Sequence, residues 1–234
     1  MKDFKSILKK ASKKSTHLVL NPGVVDKLIA EGLIKKRFIT YQEYFENLIK
    51  QKNKNAINLL KNLPLLDETI GNNVISNIYE EIRASYCLGI FTSTIFNSIV
   101  LLEYSMRKRI FDERLKKYPN SKWEDIEKSK MKDLIQELRL IKIINKDERI
   151  VLDNFNDKFR NAYMHGDIYK MIRGIYINNV KRVDIKTQKI NVLNNLEARR
   201  YPQFWFLAKN LYDKTYVIEY LNFCIKWTNK LLKN

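Results

Sequence analysis

Phe159-Arg160-Asn161-Ala162-Tyr163-Met164-His165-Gly166 reads as the end of a helix and its stop signal. Upstream, Val151, Phe155 and Phe159 recur every four residues and continue into Ala162 and Tyr163, the spacing of one apolar helical face. Gly166 stands where a left-handed cap residue is favoured, because glycine has no Cβ to oppose a positive φ. Among these apolar positions stand Arg160, Asn161 and His165, the last being one of only two histidines in the chain. The segments on either side follow the same helical period.

Toward the N-terminus, Asp67 is the expected cap of a helix in which Val74, Ile78, Ile82 and Tyr86 repeat, with a break at Gly89. Next comes a long helix in which Phe91, Ile95, Ile99 and Leu102 form one stripe. Phe96, Ile99, Glu103, Met106 and Ile110 form an overlapping one, and the helix stops near Lys117, before Pro119. Met131, Leu134, Ile135, Leu138, Ile141 and Ile144 mark a third helix. Beyond Gly166 the period changes. β-branched and alternating residues between about 175 and 193 predict a small β-hairpin, inserted over residues 174–195. A closing helix places Phe204, Ala208, Leu211, Thr215, Ile218 and Ile225 on one face. Residues 1–66 read as a basic helical extension with a turn at Asn21-Pro22-Gly23, and residues 67–234 as the main domain. The expected class is mainly all-α, a helical bundle with an insert.

With 6 Gly and 4 Pro in 234 residues the chain has too few turn formers for an all-β fold. Its 44 Lys and Arg against 26 Asp and Glu leave a net charge of +18, which points to a polyanionic partner, nucleic acid or an anionic membrane. The plainer reading is that lysine richness follows from an AT-rich gene. Lys9, Lys10, Lys13, Lys14, Lys35, Lys36 and Arg37 form clusters suited to contacting RNA, or simply a solvated face. No apolar run reaches the roughly 20 residues of a membrane span. Residues 1–14 offer a membrane surface only Phe4, Ile7 and Leu8. No secretory signal is legible at the start, so a cytoplasmic protein without a membrane partner is expected. Cys87 and Cys224 sit in apolar helical contexts and read as reduced thiols. His17 lies in no motif and reads as a surface or interface residue. No Cys or His spacing suits zinc, so neither a metal nor another cofactor is expected.

Arg160-Asn161-Ala162-Tyr163-Met164-His165 resembles the Arg-x4–6-His signature of HEPN domains (higher eukaryotes and prokaryotes nucleotide-binding). The Asn after the Arg and the Gly after the His are similar too. So is the context of long helices, one carrying Leu102-Glu103 and Arg107. The resemblance covers residues 70–173 and 200–232. It implies a helical bundle and a metal-independent endoribonuclease in which two protomers face their motif helices to make one composite site. A homodimer acting on RNA, as a toxin or abortive-infection effector, follows from it, as does an antitoxin or other regulatory partner protein. The second implied reading is a catalytically inactive HEPN domain that binds RNA or a nucleotide, or dimerises as a scaffold. Minimal toxins of the family often carry Tyr two residues after the His; Asp167 stands there instead, and the next tyrosine is Tyr169.

The residue types suit that chemistry. Metal-free RNA cleavage needs a group to deprotonate the 2′-hydroxyl, a cation for the phosphorane and an acid for the leaving 5′-oxygen. A histidine titrating near neutrality serves as base or acid, and a planar, always-charged arginine bonds two phosphoryl oxygens. At about 100° per residue, Asn161 and His165 share a face, whereas Arg160 and His165 lie about 140° apart. The arginine's length, or fraying before Gly166, is needed to join them. Glu103 falls on an apolar stripe where an unpaired carboxylate is costly; it is expected to orient Arg160 or His165 from a cleft, to pair with Arg107 one turn away, or to mark where the stripe ends at the surface. Asp167 is a candidate partner for His165, and Tyr163 a supporting residue. The plainer reading of the whole motif is a C-terminal cap, with His165 at the negative end of the helix dipole.

Overall fold

The computed structural model describes residues 56–183 and 190–233, together with 18, 19, 42, 46, 49 and 50. The chain forms two compact units. A helical unit lies within Asn47–Met171 and Lys209–Asn234, and a smaller unit within Met1–Glu46 and Ile172–Ala208. The mainly helical class read from the sequence holds.

In the helical unit, α1 (Ala56–Leu60) precedes α2 (Asn73–Cys87) and α3 (Phe91–Lys117). The cap of α2 is Asn72, whose side chain accepts from the Val74 and Ile75 N–H groups, rather than Asp67. Asp67 instead accepts from the Thr69 N–H and hydroxyl, pairs with Lys233 at 2.9 Å and donates its own N–H to Asn229. Ile82 and Tyr86 of the expected stripe are buried, but toward the N-terminus Ile75 and Tyr79 take the buried places expected of Val74 and Ile78, and Val74 is exposed. Gly89 breaks the chain at φ 63°. α3 ends before Pro119 as expected and is buried on more than one side. Ile95, Ile99, Leu102 and Met106 are interior, and so are Ser98 and Ser105. Their hydroxyls bond back to Thr94 O and Leu101 O at 2.7 Å, and Ser105 also meets Thr228, so neither buried hydroxyl goes unsatisfied.

α4 (Glu124–Glu127) and α5 (Met131–Leu140) follow. Trp123 lies against Tyr104 and Phe111 of α3, and a two-pronged Arg114–Glu137 pair ties α3 to α5. α6 (Lys146–Phe155) opens with a capping box between Asn145 and Glu148, which satisfies two orphan N–H groups at once. It runs into a single π turn over Asn156–Arg160, then α7 (Asn161–Met164) and α8 (Ile168–Met171). α9 spans Trp205–Leu232. Its buried positions include Tyr212, Asp213, Val217, Tyr220, Leu221 and Cys224, whereas Leu211 and Thr215, expected on the core face, are exposed. Cys87 and Cys224 are both free thiols, and burial pushes each above the ordinary thiol range. Among the described residues, no helix is long and apolar enough to cross a membrane.

The smaller unit contains the expected hairpin. β3 (Val180–Val183) pairs antiparallel with β4 (Ile190–Leu193), and β2 (Tyr176–Ile177) with β5 (Leu196–Glu197). Asn179 and Asn195 take φ of 57° and 53° between the two ladders. Each donates its N–H across the break, to Asn194 and Asn178 at 2.8 Å. Left-handed backbone in both strands interrupts the pleat, so one hairpin becomes two short sheets. β1 (Leu18–Val19) joins β3 in parallel, a strand inside the segment read from sequence as helical.

Candidate functional site

The motif helix owes its orientation to the π turn. From Asn156 to Arg160 the backbone bonds run five residues back, the Asn161 N–H reaching Asn156 O. One extra residue in the turn rotates the succeeding helix by about 100° relative to α6. Arg160 is thereby turned toward α3, while Phe159, expected on the apolar stripe, still lies against Phe155 and Tyr220 but is left 38% exposed.

Turned inward, Arg160 meets Glu103 of α3. Its Nε donates to Glu103 Oε1 at 2.8 Å, and its Nη1 to Asn161 Oδ1 at 3.0 Å. Glu103 is 6% exposed. Its second oxygen accepts from Arg107 Nη2 at 3.3 Å, and the same nitrogen reaches Ser129 O at 3.0 Å. Glu103 is thus buried rather than at the surface, and it bonds Arg160 and Arg107 together. Two guanidinium groups around one carboxylate leave a net positive charge. Arg160 keeps N–H donors unused, because a guanidinium carries more than these two bonds occupy. The inner edge is held and the remaining donors stay available to an anion.

Asn161 links the arginine to the helix end. Its amide oxygen faces Arg160, which only donates, so its NH2 is left as a donor with no partner among the described residues. α7 is regular: the His165 N–H bonds Asn161 O at 3.1 Å. The helix does not fray before Gly166, and no hydrogen bond joins Arg160 to His165. Gly166 takes φ 63°, the Asp167 N–H returns to Ala162 O and the Gly166 N–H to Tyr163 O, a Schellman cap as the glycine predicts. His165 ends the helix exposed, its imidazole without a hydrogen-bond partner among the described residues. Asp167 caps α8, accepting from the Lys170 N–H at 3.0 Å and pairing with its ammonium at 3.1 Å.

A second polar cluster holds the other side of α7. Asp213 of α9 is 1% exposed. It accepts from the Tyr163 hydroxyl on one oxygen, and from Thr92 and Lys209 on the other. Lys209 also reaches Thr92 Oγ1 at 3.0 Å and lies over the Tyr163 ring, 5.0 Å from its centroid. Burial first, then the bond to Asp213, raises the Tyr163 phenol well above its usual range, so the hydroxyl stays a neutral donor. Tyr163 therefore positions the motif helix. Sequence reasoning missed Asp213, Lys209 and Thr92. The available signal was a carboxylate at 213 beside Tyr212 and at helical spacing from Lys209 and Val217.

Beside this cluster, α3, α7, α8 and α9 enclose a cleft of about 430 Å³ that Gly166 helps to line. A cleft of about 470 Å³ near Tyr86, Phe91 and Val217 contains no motif residue. Lys9, Lys10, Lys13, Lys14, Lys35, Lys36, Arg37 and His17 lie outside the described residues. Comparison of the chain with family models, curated proteins and solved structures gives no match.

Proposed function

We propose that this chain is a metal-independent endoribonuclease of the HEPN type, acting as a toxin or abortive-infection effector. The observation that carries the reading is Arg160. It is held on its inner edge by Glu103 and Asn161, with donors to spare, on the helix that ends at the exposed imidazole of His165. A charge placed in advance for a phosphorane does not have to reorganise during reaction. In the proposed reaction a histidine removes the 2′-hydroxyl proton and the 2′-oxygen attacks the adjacent phosphorus. Arg160 bonds the non-bridging oxygens, and a second histidine protonates the departing 5′-oxygen, leaving a 2′,3′-cyclic phosphate. One motif histidine per chain makes the second His165 a contribution of another copy, so the working form is a homodimer. An antitoxin or other regulatory protein restrains it in the cell.

The test is cleavage of end-labelled RNA in EDTA by wild type, His165→Ala and Arg160→Ala. The expected result is cyclic-phosphate ends from wild type and a loss of at least about a hundredfold in each variant, the scale of acid–base and oxyanion contributions. Equal RNA integrity with all three proteins would sink the reading. One observation favours the alternative of an inactive RNA- or nucleotide-binding or dimerising domain: Arg160 bonds Glu103 and Asn161 and makes no bond to His165. That alternative expects RNA or nucleotide binding that survives His165→Ala, with no cleavage by wild type.

A further inference from the structure

The cleft beside Gly166 has features that a cap or a packing defect does not need. Phe96 projects from α3 with 41% of its surface exposed, although its place in the sequence stripe is a core position. Ser93, three residues before Phe96 and four before Asn97, is the helical neighbour of both, and all three line the cleft. The Ser93 hydroxyl has no partner among the described residues, and the Asn97 amide makes only a 3.5 Å contact to Glu81. Ile168 and Met171 supply an apolar floor, and the Lys209 stem a wall. The charge of Lys209 is cancelled on the spot by Asp213. The cleft therefore offers an aromatic face, a hydroxyl, an amide and no free charge. That combination suits a flat heteroaromatic ring with polar edges better than it suits a phosphate. Its volume of about 430 Å³ is within the usual range for small-ligand sites.

Position adds to composition. Gly166 lines the cleft and follows His165 directly in the chain, while the cationic donors of Arg160 stand on the preceding turns of the same helix. We infer that this cleft is a nucleobase subsite, in which Phe96 stacks on the base neighbouring the scissile phosphate while Ser93 and Asn97 bond its edge. The inference rests on the ribonuclease reading of the motif and extends it to substrate selection. Division of labour between charged and neutral surfaces is the usual pattern for single-stranded RNA, where phosphates supply affinity and stacked bases supply choice.

Binding is measured with the full chain carrying His165→Ala, so that turnover does not consume the probe. The probe is a short single-stranded RNA with 2-aminopurine placed at one position at a time. Quenching is expected at one position, next to the bond that wild type cleaves. In the same background Phe96→Ala should abolish that quenching and weaken binding about tenfold, the scale of one base–aromatic stack. Phe96→Tyr should retain both. The salt dependence of binding should be unchanged by Phe96→Ala, because no phosphate contact is removed. Asn97→Ala, on the rim, should alter which base is quenched most. Equal affinity and equal quenching in Phe96→Ala, with its circular dichroism intact, would overturn the assignment. So would Phe96-dependent binding of free nucleoside monophosphates without binding of the RNA. If wild type cleaves nothing yet the Phe96-dependent quenching persists, the nuclease reading falls and the base site stands.

Discussion

Glu103 is the residue on which the site turns. It is almost fully buried and serves two arginines, so removing its charge strands both. Glu103→Gln should lower unfolding free energy by ~3 kcal/mol, the scale for breaking a buried ion pair on one side, measured by urea denaturation. The same variant should lose RNA cleavage, because the arginine is no longer aimed. Tyr163→Phe removes a hydroxyl from a buried Asp213 oxygen and should cost about 1–3 kcal/mol; an unchanged melting curve would show that Asp213 finds another donor. At Gly166 an added Cβ would meet nothing within 4 Å, so Gly166→Ala acts through backbone conformation alone and should cost ~1 kcal/mol. Each residue follows a rule visible in sequence: an unpaired carboxylate on an apolar stripe demands a partner, and a glycine after a helix marks its cap. Arg160 and Arg107 were both legible as candidates; that the two bond Glu103 at once was not, because Arg160 is 57 residues away.

At the scale of elements, helix ends were more legible than helix faces. α3 ended before Pro119 and α7 at Gly166 because both signals act locally on φ and ψ. The core faces of α2 and α9 kept Ile82, Tyr86, Ala208 and Ile225 of their sequence stripes but not Val74, Leu211 or Thr215, since neighbouring helices choose among overlapping apolar rows. The π turn was not legible at all: the i, i+4 spacing from Phe155 to Phe159 predicts an unbroken helix, and tertiary bonds at Glu103 and Asp213 hold the register that breaks it. Deleting Lys158, which is exposed, shortens that turn to a regular α turn. The two ends of the helix then disagree in phase by about 100°, and either Leu152 and Phe155 or Arg160 leaves its place. The expected result is preserved helical circular dichroism with at least ~2 kcal/mol less stability, the lower bound for exposing such a core residue. The N-terminus of α6 carries a pH effect. The Lys230 bond first, then the Asn145 N–H, hold the Glu148 carboxyl below its ordinary value of 4.5. A depressed carboxylate contributes stability above its unfolded value and loses it as pH falls through the lower folded one. Glu148→Gln should therefore flatten the acid limb of thermal stability below about pH 4.5, leaving the neutral range little changed in slope.

For the whole molecule the dominant quantity is the charge of +18. RNA binding by the His165→Ala protein should fall at least about tenfold between 50 and 200 mM salt, as counterion release requires; a flat salt response would point away from a polyanion partner. Charge, the mainly helical class, the hairpin near 175–193 and the identity of the motif residues were determined by the sequence alone. They depend on composition and on interactions spanning a turn or two, where spacing maps directly onto geometry. Only the tertiary structure decided that Arg160 turns to Glu103 rather than His165, that Phe96 faces a cleft, and that Asp213 anchors Tyr163. Those outcomes balance desolvation of buried charge against helix register across elements far apart in the chain, a balance that no local pattern encodes.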